Sequence, residues 1–155
     1  MRAARFRRLA AVTAGSTFLL MCVGAYTKAI GAGLACPDWP TCYGTWIPFL
    51  RPDVMAAAPY TTGQVFAEWF HRLLAAATGF LLVATGVAAW RRQPRGRPEL
   101  AGVLAALLLP VQVLLGGLTV TQDLQALIVT AHLGTAVLIL ASVVVAAVGR
   151  RLTPG

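Results

Sequence analysis

Four stretches of this chain, Leu9–Tyr26, Phe66–Trp90, Leu100–Val120 and Leu124–Val148, are apolar almost without interruption. A hydrocarbon core about 30 Å thick takes about 20 helical residues to cross. In lipid every backbone N–H and C=O must find its partner within the protein, so single apolar runs of this length cross as helices. The expectation is an all-α membrane protein, a four-transmembrane-helix bundle with helices over roughly 9–29, 66–90, 100–120 and 124–148. Short connections make it a single membrane domain over 1–155, built of two helical hairpins.

The formal net charge is +8, and its distribution matters more than its size. Arg2, Arg5, Arg7 and Arg8 precede the first span. Arg91, Arg92, Arg95 and Arg97 fill the second connection, and Arg150 and Arg151 follow the last span. In a four-span chain these places share one side. The other side carries Lys28 and Arg51 with Asp38, Asp53 and Asp123. By the positive-inside rule the N- and C-termini are cytoplasmic, in a multi-pass protein of the cell membrane. Nucleic acid is not an expected partner, because no aromatic interleaving or known motif accompanies the arginines. The basic start followed by an apolar run imitates a secretory signal, but the run is longer than a signal's apolar region. Leu34-Ala35-Cys36 imitates a lipoprotein cleavage site, with Gly33 where that motif takes an aliphatic residue. A retained first helix is the reading.

The first outer loop, 31–64, is long and rich in proline and aromatic residues. Loops of this length in a compact bundle are usually functional or disordered, and Trp and Tyr favour the membrane interface. A folded cap on the outer face is expected. Arg91–Pro98 reads as a plain connection and Thr121–Asp123 as a tight turn. A faint repeat relates Val23-Gly24-Ala25-Tyr26-Thr27 to Leu115-Gly116-Gly117-Leu118-Thr119. Each precedes an outer connection and then a span with one histidine in its outer half. Pro110 should kink the third span.

His71 and His132 are the only histidines, and both lie inside apolar spans. An ionisable side chain in hydrocarbon is a functional hypothesis by default. His71 lies about five residues into its span and His132 about eight, roughly 8 and 12 Å from the outer ends at ~1.5 Å per residue. Both fall in the outer leaflet. If the second and fourth helices face each other, one haem iron can sit between two axial imidazoles. The alternative is two independent histidines bonded to their neighbours. Glu68 shares a helix face with His71. At this depth it should face a cavity or a partner, which suits proton transfer beside a reacting centre; pairing with Arg72 or Lys28 is the alternative. Arg72 and Lys28 lie near the outer boundary, placed to meet haem propionates or to snorkel to the surface. The Glu-x-x-His spacing also occurs in di-iron bundles, but these need further glutamates, and only Glu99 remains. Cys36 and Cys42 bracket a short outer-loop segment where a pair can oxidise, as a staple or as a redox couple. Cys22 should pack as a small hydrophobe. Gln112 should face the bundle. Gly79, Gly134 and Thr135 flank the histidines, where small side chains would let a flat ring approach the backbone.

Taken together, these motifs resemble the haem A synthase family of cytochrome oxidase assembly proteins. The resemblance rests on Thr27-Lys28-Ala29-Ile30-Gly31-Ala32-Gly33-Leu34-Ala35-Cys36-Pro37-Asp38-Trp39-Pro40-Thr41-Cys42-Tyr43-Gly44 and on Glu68-Trp69-Phe70-His71-Arg72. It continues through Leu115-Gly116-Gly117-Leu118-Thr119-Val120 and His132-Leu133-Gly134-Thr135-Ala136. It implies oxidation of the C8 methyl of haem O to a formyl group, giving haem A by successive hydroxylations with electrons passed through haem. His71 and His132 would then be axial iron ligands, Glu68 the carboxylate beside the reacting methyl, and Cys36 and Cys42 the outer-loop pair, joined as a disulfide. Lys28 stands where the family commonly has arginine. The cofactors implied are haem B, with haem O as substrate and haem A as product.

Typical members carry this four-helix unit twice, with four histidine ligands; this chain supplies one pair. One haem per chain is therefore expected, with a homo-oligomer, at least a dimer, where substrate and electron-relay haems are both needed. Haem O synthase or oxidase-assembly proteins are possible partners besides membrane lipid. Two other functions compete: a b-type cytochrome carrying electrons, and a haem-binding assembly factor without turnover.

Overall fold

The computed structural model describes residues 3–92 and 96–149. Among the described residues the regular elements are helices: α1 (Ala3–Ala29), α2 (Pro52–Ala57), α3 (Thr62–Trp90), α4 (Arg97–Thr121) and α5 (Ala126–Val148), with a 3₁₀ turn at Pro48–Leu50. α1, α3, α4 and α5 are long and apolar enough to cross a membrane, as the sequence predicts. Each except α5 begins earlier than its apolar run. α1 continues back through Arg8, Arg7 and Arg5, because arginine is a good helix former and polarity alone does not end a helix. α3 begins at Thr62, where Thr61 and Gln64 form a capping box: Gln64 N–H donates to Thr61 Oγ1 at 3.3 Å, and Thr61 N–H donates to Gln64 Oε1 at 3.1 Å. α4 begins with proline in its first turn and with Glu99 accepting the Gly96 N–H at 3.0 Å. It then runs unbroken through Pro110.

The four long helices close into a ring. α1 and α4 each pack against both α3 and α5. The two histidine-bearing helices, α3 and α5, are therefore diagonal and face each other across the bundle axis. Small side chains permit the close approaches. A Cβ on Gly86 of α3 would lie 2.3 Å from the Ala106 Cβ of α4, the small-residue packing that membrane bundles rely on where burial of apolar surface gives little drive. Hydroxyls join α1 to α3: Thr13 with Thr85 at 2.9 Å and Ser16 with Thr78 at 2.7 Å.

One end of the bundle gathers Arg5, Arg7, Arg8, Arg91, Arg92 and Arg97; Arg2, Arg95, Arg150 and Arg151 lie outside the described residues. There Arg7 Nε donates to the Ala147 carbonyl at 2.9 Å, and Arg92 pairs with the buried Glu99 at 2.9 Å. The other end carries the cap. The cap is folded, with Ala32, Ala35, Cys36, Cys42, Val65 and Ala67 as its buried core and an aromatic cluster of Phe49, Phe66, Trp69 and Phe70 at its edge.

Candidate functional site

Between the diagonal helices lies a cavity of about 630 Å³, within the ~300–1,000 Å³ range of ligand pockets. His71, His132, Glu68, Arg72, Lys28 and Gln112 all line it, so six residues singled out in the sequence meet at one space. His71 stands nine residues into α3 and His132 six into α5, roughly 13 and 9 Å from the cap-side ends. The depth order is the reverse of the sequence expectation because α3 starts four residues early, but both imidazoles remain in the cap-side half. Gly79 also lines the cavity. Gly134 does not; its α-carbon faces open space. Cys22 is exposed on α1 and is not packed inside.

The faint repeat is a structural one. Gly24 on α1 abuts the His71 ring, and Gly116 on α4 abuts the His132 ring. Positions related by the repeat line the same cavity, but their chemistry differs. Lys28, Glu68 and Arg72 belong to the first hairpin. Val120, Val129 and Leu133 stand at the matching places of the second. The exception is Gln112, whose counterpart is Leu20. Gln112 Nε2 lies 3.5 Å from His132 Nε2. The cavity thus has a charged quadrant and an apolar one.

The charged quadrant is tied to the cap. Arg72 donates from Nη1 to the carbonyls of Asp38 and Thr41, both at 2.5 Å, and from Nη2 to the Cys36 carbonyl at 2.9 Å and Glu68 Oε1 at 2.6 Å. Glu68 Oε2 accepts the Cys36 N–H at 2.8 Å. A planar guanidinium fork suits several fixed carbonyls at once. Sequence reasoning left Arg72 to meet a haem propionate or to snorkel, and left Glu68 the alternative of pairing with it; the structure shows that pairing and directs the rest of the fork to three loop carbonyls. Lys28 is exposed, and no side-chain partner meets it among the described residues. The loop itself is closed by Cys36 and Cys42, whose sulfurs are joined as a disulfide. Asp38 organises its interior, accepting from the Thr41 hydroxyl and from the amides of Tyr43 at 2.5 Å and Gly44 at 3.0 Å. Burial pushes the Asp38 carboxyl up, but these donors outweigh it and hold the group below the ordinary value. The loop then crosses the cavity mouth. Trp39 lies on Gly117 of α4, and Leu124, held at φ +55° in the α4–α5 turn, lies against Gly33. Both Trp39 and Leu124 line the cavity.

Three buried polar atoms on the cavity side chains have no hydrogen-bond partner among the described residues: His71 Nδ1, His132 Nδ1 and Gln112 Oε1. Such atoms in a native interior call for an explanation. Among the described residues no three His, Cys, Asp or Glu side chains converge on a bare metal ion. A pair of opposed imidazoles over an apolar cavity instead fits haem, whose macrocycle supplies the remaining ligands.

Fold and site together define a helical membrane protein with a paired-histidine cavity under a folded cap. The chain belongs to the family of cytochrome oxidase assembly proteins, whose model matches residues 7–153, and the family resemblance in its motifs is borne out. It is similar to the protoheme IX farnesyltransferase of Halobacterium salinarum, with 35% identity over 93% of this chain and 29% of that protein. It is also similar to proteins named heme A synthase from Shouchella clausii, at 30% identity over 89% of this chain and 43% of the relative, and from Bacillus pumilus, at 28% over 91% and 43%. The chain spans less than half the length of these relatives. No solved structure matches it.

Proposed function

We propose that the chain acts in haem A synthesis, holding haem between His71 and His132 while the C8 methyl of haem O is oxidised to a formyl group. Relatives named for heme A synthesis and for farnesylation of protoheme support a haem substrate. Haem bound between the imidazoles would supply redox chemistry at iron. The observation that carries an enzymatic reading is the one-sided placement of Glu68, Arg72 and Lys28 beside the paired histidines. Two imidazoles alone suffice for electron transfer; a buried carboxylate next to them is surplus to that task. Glu68 is held in one orientation by Arg72 and the Cys36 amide. Each carboxylate oxygen keeps a second lone pair, so Glu68 can still take a proton from a group in the cavity. Lys28 is the cation placed to meet a ligand carboxylate. Gln112 offers an amide on the opposite side.

The membrane arrangement proposed with this is the basic end in the cytoplasm and the cap outside the cell membrane, which puts the cavity in the outer leaflet. A second haem, where the reaction needs one for electron relay, would come from another four-helix unit, the simplest being a second copy in a homo-oligomer. A second reading, a b-type cytochrome or an assembly factor without turnover, is favoured by the engagement of both Glu68 oxygens, one by the Cys36 amide of the cap and one by Arg72 of the same helix. Co-expression with a haem O supply separates them. Haem extracted from the purified protein should include haem A or its hydroxylated precursor; haem B alone in repeated preparations supports the second reading.

A further inference from the structure

Each imidazole of the cavity stands against a glycine of the neighbouring helix in its own hairpin. A Cβ built on Gly24 would meet His71 Cε1 at 2.8 Å and Nδ1 at 3.3 Å. A Cβ built on Gly116 would meet His132 Cε1 at 3.2 Å. Carbon atoms attract best at about 3.5–4.0 Å, so the first contact is impossible without movement and the second is tight. A Cβ built on Gly15 of α1 or on Gly134 of α5 would meet no such neighbour within 4 Å. The absence of a side chain at Gly24 and Gly116 is therefore used, and it is used by the rings.

We propose that Gly24 and Gly116 are positioning residues: each backbone forms a flat wall that fixes the plane and depth of the imidazole beside it, and so sets the relative orientation of the two rings. The proposal rests on His71 and His132 being haem ligands. It adds that ring geometry is imposed by neighbouring helices and not by hydrogen bonds from the ring nitrogens. Iron-binding histidines are ordinarily oriented by an acceptor on the second nitrogen. Here Nδ1 of both rings is buried without a hydrogen-bond partner among the described residues, and only His132 has the Gln112 backbone beside it, so the steric wall takes over that task most fully at His71. The walls are unequal. His71 is the more tightly confined, and His132 is touched in addition by Gln112.

The test uses the whole chain purified in detergent and loaded with haem B. Electron paramagnetic resonance of the ferric form reads the relative orientation of two axial imidazole planes. Gly24→Ala should shift the low-spin signal and weaken haem binding by roughly 10-fold, the scale on which orienting partners act. Gly116→Ala should do so less, while Gly15→Ala and Gly134→Ala leave the signal in place. In a His71→Ala background, where the ring is gone, the loss of unfolding stability that Gly24→Ala causes in detergent should disappear, a coupling that general bundle damage would not produce. A wild-type signal and affinity in Gly24→Ala would overturn the proposal, as would an undiminished effect in the His71→Ala background. Should Gly24→Ala not fold, Gly116→Ala in wild-type and His132→Ala backgrounds carries the same pair of outcomes. If the double variant His71→Ala, His132→Ala takes up haem as the wild type does, the ligand reading itself fails, and that result is distinct from the others.

Discussion

The carboxylate of Glu68, on α3, accepts the backbone N–H of Cys36, in the cap, at 2.8 Å. This bond joins the transmembrane cavity to the disulfide-closed loop above it. Because the other oxygen of Glu68 is paired with Arg72 at 2.6 Å, the residue has a structural task and a proposed chemical one. Glu68→Gln retains an acceptor and the side-chain size but removes the charge. It should leave the cap folded and haem bound while product formation falls at least about 100-fold, the scale of general acid–base catalysis. Glu68→Ala should also loosen the cap by about 1–3 kcal/mol, because it leaves the buried Cys36 amide and one Arg72 N–H without their acceptor. Thermal unfolding with haem-product analysis checks both. Wild-type product yield in Glu68→Gln would remove Glu68 from the chemistry.

Arg72 bonds three loop carbonyls with one planar group, and an ammonium cannot reproduce that fork. Arg72→Lys should keep the pairing with Glu68 but release the segment between Cys36 and Thr41. Faster protease cleavage in the cap, with the helices unchanged, is the expected result. Lys28→Ala should leave cap cleavage at the wild-type rate and lower affinity for haem carrying free propionates more than for its dimethyl ester.

Asp38 makes the cap sensitive to acid. Its folded value lies below the ordinary one, so its contribution to stability is complete above the unfolded carboxylate value and is lost as pH falls through the folded one. Trp39, next in sequence, lies over the cavity mouth and reports the loop by fluorescence. Its signal should change only below the ordinary carboxylate range. Asp38→Asn should abolish that acid transition and loosen the loop by about 1 kcal/mol at neutral pH, since the amide cannot serve the same donors. An unchanged acid transition in Asp38→Asn would assign it to another group.

Gly86 sets the distance between α3 and α4. Gly86→Ala places a methyl group where the Ala106 methyl already lies, and overpacking of this kind costs about 1–3 kcal/mol. Gly86→Ala combined with Ala106→Gly should recover most of that loss in detergent unfolding. Additive losses would show that the contact is not the cause.

Much of this organisation is legible in the chain itself, because hydrocarbon leaves few alternatives. The four apolar runs have to be helices, and the rare charged or imidazole side chains within them, Glu68, His71, Arg72 and His132, are expected to face inward. The places where reading stops are physical. The start of α1 is hidden because arginines extend a helix as readily as apolar residues do. The commitment of Arg72 to the cap depends on where a loop with its own internal bonds happens to cross, which no periodicity encodes. Gly24 and Gly116 are visible as a repeat, but their use is not. It emerges only when the ring order of the helices sets each glycine against the histidine of its own hairpin. Gly134, only two residues from His132 in sequence, points away from the cavity.

The central claim is that His71 and His132 hold one haem between them across the bundle axis. Absorption and electron paramagnetic resonance spectra of haem-loaded wild type, His71→Ala and His132→Ala test it most directly. The wild type should show low-spin, bis-imidazole iron, and each single variant should lose that signature and bind haem weakly or not at all. Retention of the full bis-imidazole spectrum in both variants would contradict it.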